Sequence, residues 1–116
     1  MATPRPARGE IWYVELSHTR GHEQADGRPA LVISEDTFNY GPAGLIIILP
    51  ITSTVRRDIP FRVLLKPPEG GVKVRSMIQC DQIRCVSKDR LGEPWGAVSS
   101  RTMTAVEDRL RILLEL

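Results

Sequence analysis

The 116-residue sequence predicts an α+β fold, mainly β: a small, curved, mostly antiparallel barrel with a C-terminal helix and short additional helices packed on it. Three observations predict it. Short apolar runs recur, separated by Gly, Pro and polar turns. No long crossover helix stands between them, which excludes a doubly wound parallel sheet. The one extended helical periodicity closes the chain.

The first strand is expected over Glu10–Leu16, where Ile11 and Tyr13 alternate with Trp12, Val14 and Leu16. Residues 17–27 form a polar loop, long for a compact domain, and long loops are often functional. A second strand covers Pro29–Ser34, and Asp36–Tyr40 is one helical turn. Leu45–Ile51, LIIILPI, is the central buried strand because its β-branched and leucine run leaves no polar face. Residues 52–60 are a second polar segment. Strands follow at Phe61–Lys66, Val72–Cys80 and Gln82–Val86, with PPEGG at 67–71 as a turn and Trp95–Val98 as a short last strand. Ser99 or Ser100 caps the final helix, whose Met103, Val106, Leu110, Leu113 and Leu114 form one apolar stripe. Residues 1–7 read as a loose tail and 8–116 as a single domain.

Composition narrows the function. No apolar run approaches the roughly 20 residues of a membrane span, and the N-terminus lacks a signal-peptide core, so a cytoplasmic protein is expected. The net charge of +2 is too small to argue nucleic-acid binding alone. Of 16 basic residues, however, only Lys66, Lys73 and Lys88 are lysines. Arginine's planar fork suits phosphate, although genomic base composition explains the bias equally well. Cys80 and Cys85 are the only cysteines, and their odd separation puts them on opposite faces of one strand, as reduced structural thiols. The sequence holds no GxSxG elbow, P-loop or HExxH, and no metal or other cofactor is expected.

What remains is two polar segments joined to rigid strands: HTRGHEQADGR before the second strand, and TSTVRR after the central one. Antiparallel pairing can bring Arg28 and Thr52 to one end of the sheet, with Arg20, Arg56 and Arg57 around them. Fixed positive charge and a hydroxyl suit an anionic phosphoryl transition state. RNA supplies its own nucleophile, the 2′-hydroxyl. The plainer readings are an Arg28 paired with Asp26 or Glu23, a Thr52 bonded to its own backbone, and solvated arginines at 56 and 57.

The blocks RGEIWYVEL, RGHEQADGRPALVIS, LPITST and CDQIR, followed by the closing helix, resemble the MazF/PemK family of toxin endoribonucleases, the mRNA interferases of bacterial toxin–antitoxin pairs. The resemblance covers roughly residues 8–116. It implies a barrel like that of SH3 domains or of the toxin CcdB, a homodimer, and cleavage of single-stranded RNA without metal. The products would carry 2′,3′-cyclic phosphate and 5′-hydroxyl ends. It implies a MazE-like antitoxin as partner, with operator DNA bound only through that antitoxin. The family's catalytic arginine falls on Arg28 and its catalytic threonine on Thr52. Arg20, Glu23, Gln24, Ser53, Arg56 and Gln82 match the RNA path, and Arg84 is read equally as a structural or dimer-interface residue. His22 stands where members often carry Ser, and is read as an RNA or solvent contact with a general-base role as the alternative. A non-catalytic CcdB-like toxin or binding module acting on a protein target is the competing function.

Overall fold

The computed structural model describes residues 5–16 and 27–116. Its elements run β1 (Glu10–Glu15), β2 (Gly27–Val32), α1 (Asp36–Tyr40), β3 (Leu45–Thr52), β4 (Arg62–Leu65), β5 (Ser76–Gln79), β6 (Arg84–Ser87), β7 (Leu91–Ala97) and α2 (Ser100–Leu114). Short 3₁₀ turns occupy Glu69–Gly71 and Lys88–Arg90. Every ladder is antiparallel. Pairing follows the path β4-β5-β3-β2-β1-β7, with β6 also on β3. The barrel-like sheet is therefore left open at β4 and β7 among the described residues.

Both faces of this sheet are buried, as the unbroken apolar run of β3 requires. Odd-numbered Ile11, Leu31, Leu49 and Ile51 pack with Val63, Leu65 and Ile78 beneath α2, whose Val106 is fully buried. Even-numbered Trp12, Val14, Ala30, Val32, Ile46 and Ile48 pack with Val86 and Leu91 on the opposite face. Period-two alternation thus sorts one strand's side chains into two cores. Truncating Leu31 or Ile48 to Ala would cost about 2–5 kcal/mol.

β3 is central because it serves three strands. β2 lies along one edge. On the other edge Leu45–Ile48 pair with β6, while Ile51 and Thr52 pair with β5. Leu49 and Pro50 fall at the change of partner, and proline has no N–H to offer a ladder there. The turn at residues 80–83 passes this gap, so β5 and β6 splay around Pro50.

Several boundaries differ from the sequence expectation. The strand expected at Val72–Cys80 shortens to Ser76–Gln79. Its partner β4 ends at Leu65, before Pro67 and Pro68, so no strand among the described residues pairs with Val72–Arg75. The last strand is longer than expected, Leu91–Ala97, despite Gly92, Pro94 and Gly96. It lies at the end of the pairing path, where a proline's missing donor is tolerated, and its ladder to β1 shifts register twice. Gly71 explains its close seating on the turn before it: φ is +83°, and a Cβ would stand 2.3 Å from the Trp95 carbonyl oxygen. Leu114 leaves the expected apolar stripe and is exposed. Cys80 and Cys85 lie on either side of the β5–β6 turn rather than in one strand; both are free, Cys80 buried and Cys85 exposed. Residues 5–7, placed in the tail by the sequence, are docked, with Pro6 fully buried and the Arg5 guanidinium 4.7 Å above the Tyr40 ring centre.

Ser99 caps α2 by accepting from the Thr102 N–H at 3.1 Å. One Glu69 oxygen accepts from the Ser99 N–H at 3.0 Å, the Ser99 hydroxyl at 3.2 Å and the Thr102 hydroxyl at 2.5 Å. Partial burial opposes the charge on Glu69, but these hydrogen bonds outweigh it and bring the carboxyl below its usual 4.5. A depressed carboxyl contributes stability above the unfolded value that is lost as pH falls through the folded one. Glu69→Gln is therefore expected to lower the urea midpoint at pH 7 and to flatten the loss of stability below about pH 4.5. Burial also pushes the Cys80 thiol up to about 11. Thiol titration of the folded protein at pH 8 should modify Cys85 rapidly and Cys80 only after denaturation.

Candidate active site

Arg28 and Thr52 are brought together by strand register. The β2–β3 ladder pairs Val32 with Ile48, Leu31 with Leu49 and Ala30 with Pro50. Carried two residues further, the same register sets position 28 opposite position 52. Arg28 is paired on its other side with Val14 of β1, and Thr52 with Met77 of β5. Arg28 is thus inside the strand rather than at a loop's end, with Pro29 restricting its backbone to extended conformations.

Two hollows meet at this point, and Arg28 lines both. The larger, about 460 Å³, is lined by Arg28, Thr52, Ser53, Lys73, Val74 and Trp95 among others. The smaller, about 290 Å³, lies where β5 and β6 splay around Pro50, and is lined by Leu16, Arg28, Pro50, Gln79, Gln82 and Arg84.

In the first hollow the Thr52 hydroxyl accepts from the Thr54 N–H at 3.1 Å. This is the local backbone bond the plainer reading anticipated, and it does not consume the group. A hydroxyl that accepts still has its own proton to donate. Trp95 lines the hollow and stacks on Tyr13 at 6.4 Å between ring centres and 20° between planes. The Tyr13 ring lies over Gly27, where a Cβ would stand 2.1 Å from its hydroxyl oxygen. Glycine before Arg28 is what lets an aromatic wall rise beside the arginine.

In the second hollow Arg84 is half-buried and reaches the Leu16 carbonyl at 3.5 Å. The Gln82 N–H donates to the Gln79 carbonyl at 3.0 Å, which folds the turn back and puts both glutamines on the same wall. Gln79 is 7% exposed, and its side-chain oxygen has no hydrogen-bond partner among the described residues. Asp81 holds Arg62 of β4 at 3.3 Å, fixing the turn from outside.

Ser53 lines the larger hollow and Gln82 the smaller. Arg56 does not: its guanidinium holds Asp58 at 2.8 Å and lines neither hollow. Arg57 is exposed. Arg20, His22, Glu23 and Gln24 lie outside the described residues. Among the described residues, no three His, Cys, Asp or Glu side chains come together as metal ligands. Sequence reasoning missed Lys73, Trp95 and Gln79. The only signals for them were a lysine in an arginine-dominated chain and a tryptophan set among glycines.

The sequence pattern of PemK-like, MazF-like toxins of type II toxin–antitoxin systems matches residues 7–114. The chain belongs to this family. It is 37% identical over 113 residues to endoribonuclease MazF9 of Mycobacterium tuberculosis, covering 94% of this chain and 96% of that protein. It is 36% identical to endoribonuclease PemK of Escherichia coli, covering 92% and 80%. MazF in a MazE–MazF structure from Deinococcus radiodurans superposes with a TM-score of 0.83 at 29% identity, over 97% of this chain and 98% of that one. An endoribonuclease of a mycobacterial species, solved with its cognate antitoxin, gives 0.77 at 26% identity over 96% of both. The PemK/MazF-like chain is accordingly an endoribonuclease toxin, and its shared fold is the open antiparallel sheet with a C-terminal helix. The expectation of a non-catalytic CcdB-like module gives way to an enzyme, since the matched relatives are ribonucleases across nearly the whole chain.

A buried carbonyl without a donor is a stability debt that an isosteric apolar side chain removes. Gln79→Leu is expected to leave the thermal midpoint unchanged or raise it, by about 1 kcal/mol of added stability at most. A clear fall in midpoint would show that the amide is satisfied in the native state.

Proposed function

We propose that this protein cleaves single-stranded RNA, mRNA above all, at a defined short sequence without a metal. The 2′-oxygen attacks the adjoining phosphorus and the 5′-oxygen leaves, so the products end in 2′,3′-cyclic phosphate and 5′-hydroxyl. One observation carries this reading: Arg28 is shared by two hollows, and Thr52 lines the larger of them with it. A phosphate at that point would have a nucleoside on either side.

The roles follow from chemistry. Arg28 neutralises the charge that grows on the phosphorane, where preorganised positive charge contributes most. Its pKa above ~12 makes it a poor base, so it is assigned no proton abstraction. Thr52 donates to a non-bridging oxygen or orients the phosphate while its own oxygen is held by Thr54. Ser53 and Lys73 extend the polar rim of the same hollow. Arg20, Glu23, Gln24 and Gln82 belong to the RNA path on this reading, and Arg56 joins it only by leaving Asp58.

The protein acts as a homodimer in the cytoplasm and is neutralised by a cognate antitoxin. Support for the antitoxin comes from the related chains solved with theirs. The domain is taken to extend over residues 8–116, the span on which the family pattern falls almost entirely.

The test is incubation with a long single-stranded RNA in excess EDTA, followed by end analysis. Discrete fragments with cyclic phosphate termini are expected. Arg28→Ala and Thr52→Ala should fold normally and each lose about 10²-fold or more in kcat with little change in RNA affinity. Near wild-type cutting by either variant would remove that residue from the mechanism, and cleavage abolished by EDTA would overturn the metal-free reading.

A further inference from the structure

We infer that the larger hollow is a nucleotide subsite flanking the phosphate at Arg28, in which a base stacks on Trp95 and the next phosphate along the strand pairs with Lys73. The inference rests on the ribonuclease reading for the identity of the ligand. It goes beyond that reading in assigning Trp95 and Lys73 to substrate binding.

The hollow holds more than a phosphate. Its volume is about 460 Å³, within the range of sites that take whole small molecules. Arg28 and Thr52 come to it from β2 and β3, Trp95 from β7, and Lys73 and Val74 from the segment before β5. A phosphate held at Arg28 leaves the rest of the space for a nucleoside attached to it.

Its lining sets apolar surface beside positive charge. Trp95 is only partly buried. Its ring and that of Tyr13 are nearly parallel, and 6.4 Å between centres is an offset stack, a wider surface than one ring offers. Tyr13 is 38% exposed, and its hydroxyl lies over Gly27, next to Arg28 in the chain. The aromatic pair is thereby tied to the phosphate position. Gly71 packs directly on the Trp95 backbone, so the platform is formed before a ligand arrives. Val74 is 55% exposed, in a segment that no described strand pairs. Lys73 and Arg75 on either side of it are exposed as well. Aromatic rings beside cations are how single-stranded nucleic acid is held without reading base edges: the ring carries a base and the cation a phosphate.

The measurement is binding, so that it does not depend on cleavage. The probes are dye-labelled 2′-O-methyl hexanucleotides of A and of U, which have no 2′-hydroxyl to attack, with affinity read from their anisotropy. The chain has two tryptophans, and Trp12 is buried in the core on the opposite face. Saturating unlabelled hexamer should therefore quench the emission of Trp95. Trp95→Phe, which leaves Trp12 alone, should show no such change. Trp95→Leu should weaken binding of the A hexamer about ten-fold or more, and Trp95→Phe should recover most of that loss. Lys73→Gln should weaken both hexamers and lower the slope of log affinity against log salt by about 0.7. Wild-type emission unmoved by a saturating hexamer overturns the subsite, whatever the stability of the variants. So does undiminished A-hexamer affinity in a folded Trp95→Leu, or a salt slope unchanged in Lys73→Gln. A folded wild type that binds neither hexamer does so too. The two readings fail separately. An enzyme that cuts RNA but whose Trp95 emission ignores a bound hexamer loses the subsite and keeps the ribonuclease. A protein whose Trp95 responds but which cuts no RNA keeps the subsite and loses the proposed chemistry.

Discussion

The antiparallel register between β2 and β3 is the constraint on which the site depends. A strand's side chains alternate faces, so a slip of one residue would send Arg28 and Thr52 to opposite sides. The register is held because both strands bury both faces. Ala30 and Val32 belong to one core and Leu31 to the other, and the same division runs through Ile46, Ile48, Leu49 and Ile51. Slipping either strand would exchange the contents of two tightly packed layers. The positions of two polar groups at the sheet's end are therefore maintained by apolar residues that never touch a ligand.

Pro50 adds a second consequence to the same strand. A central strand normally offers an N–H at every residue to one neighbour or the other. Proline removes one of these where β3 passes from β6 to β5. The resulting gap lies opposite the turn at 80–83 and borders the smaller hollow beside Arg28. Packing on the far side compensates: the Ser99 cap, Glu69 and the close seating of Gly71 beneath Trp95 tie α2 and β7 to the turn after β4. One edge of the site is thus rigid through capping and backbone contact, and the other is open through a missing donor.

Much of this was legible in the chain. Alternation placed β1 and β2, the continuous apolar run marked β3 as doubly buried, and Ser99 with Val106 marked α2. Arg28 and Thr52 stood out because each adjoins a strand that could hold it still. The failures have physical causes too. Gly92, Pro94 and Gly96 disguise β7, which forms only because β1 offers an edge. Val72–Arg75 has strand-like composition but no partner strand among the described residues, because β4 stops before two prolines. The Arg56–Asp58 ion pair was not foreseen, because a reading that takes each charge alone does not pair it with a neighbour.

Periodicity is a local property: it states which face a residue occupies and how long an element can run. On that basis the sequence by itself determined the two-faced sheet, the closing helix, the restricted backbone before Pro29 and the residue types available for phosphate chemistry. Pairing is non-local, and no spacing within one strand says which residue of another will stand opposite. The tertiary structure alone decided that Arg28 and Thr52 line one hollow. It also decided that β3 changes partner from β6 to β5 at Leu49–Pro50. Each of these depends on where strands distant in sequence meet, and that is settled by how two apolar layers pack.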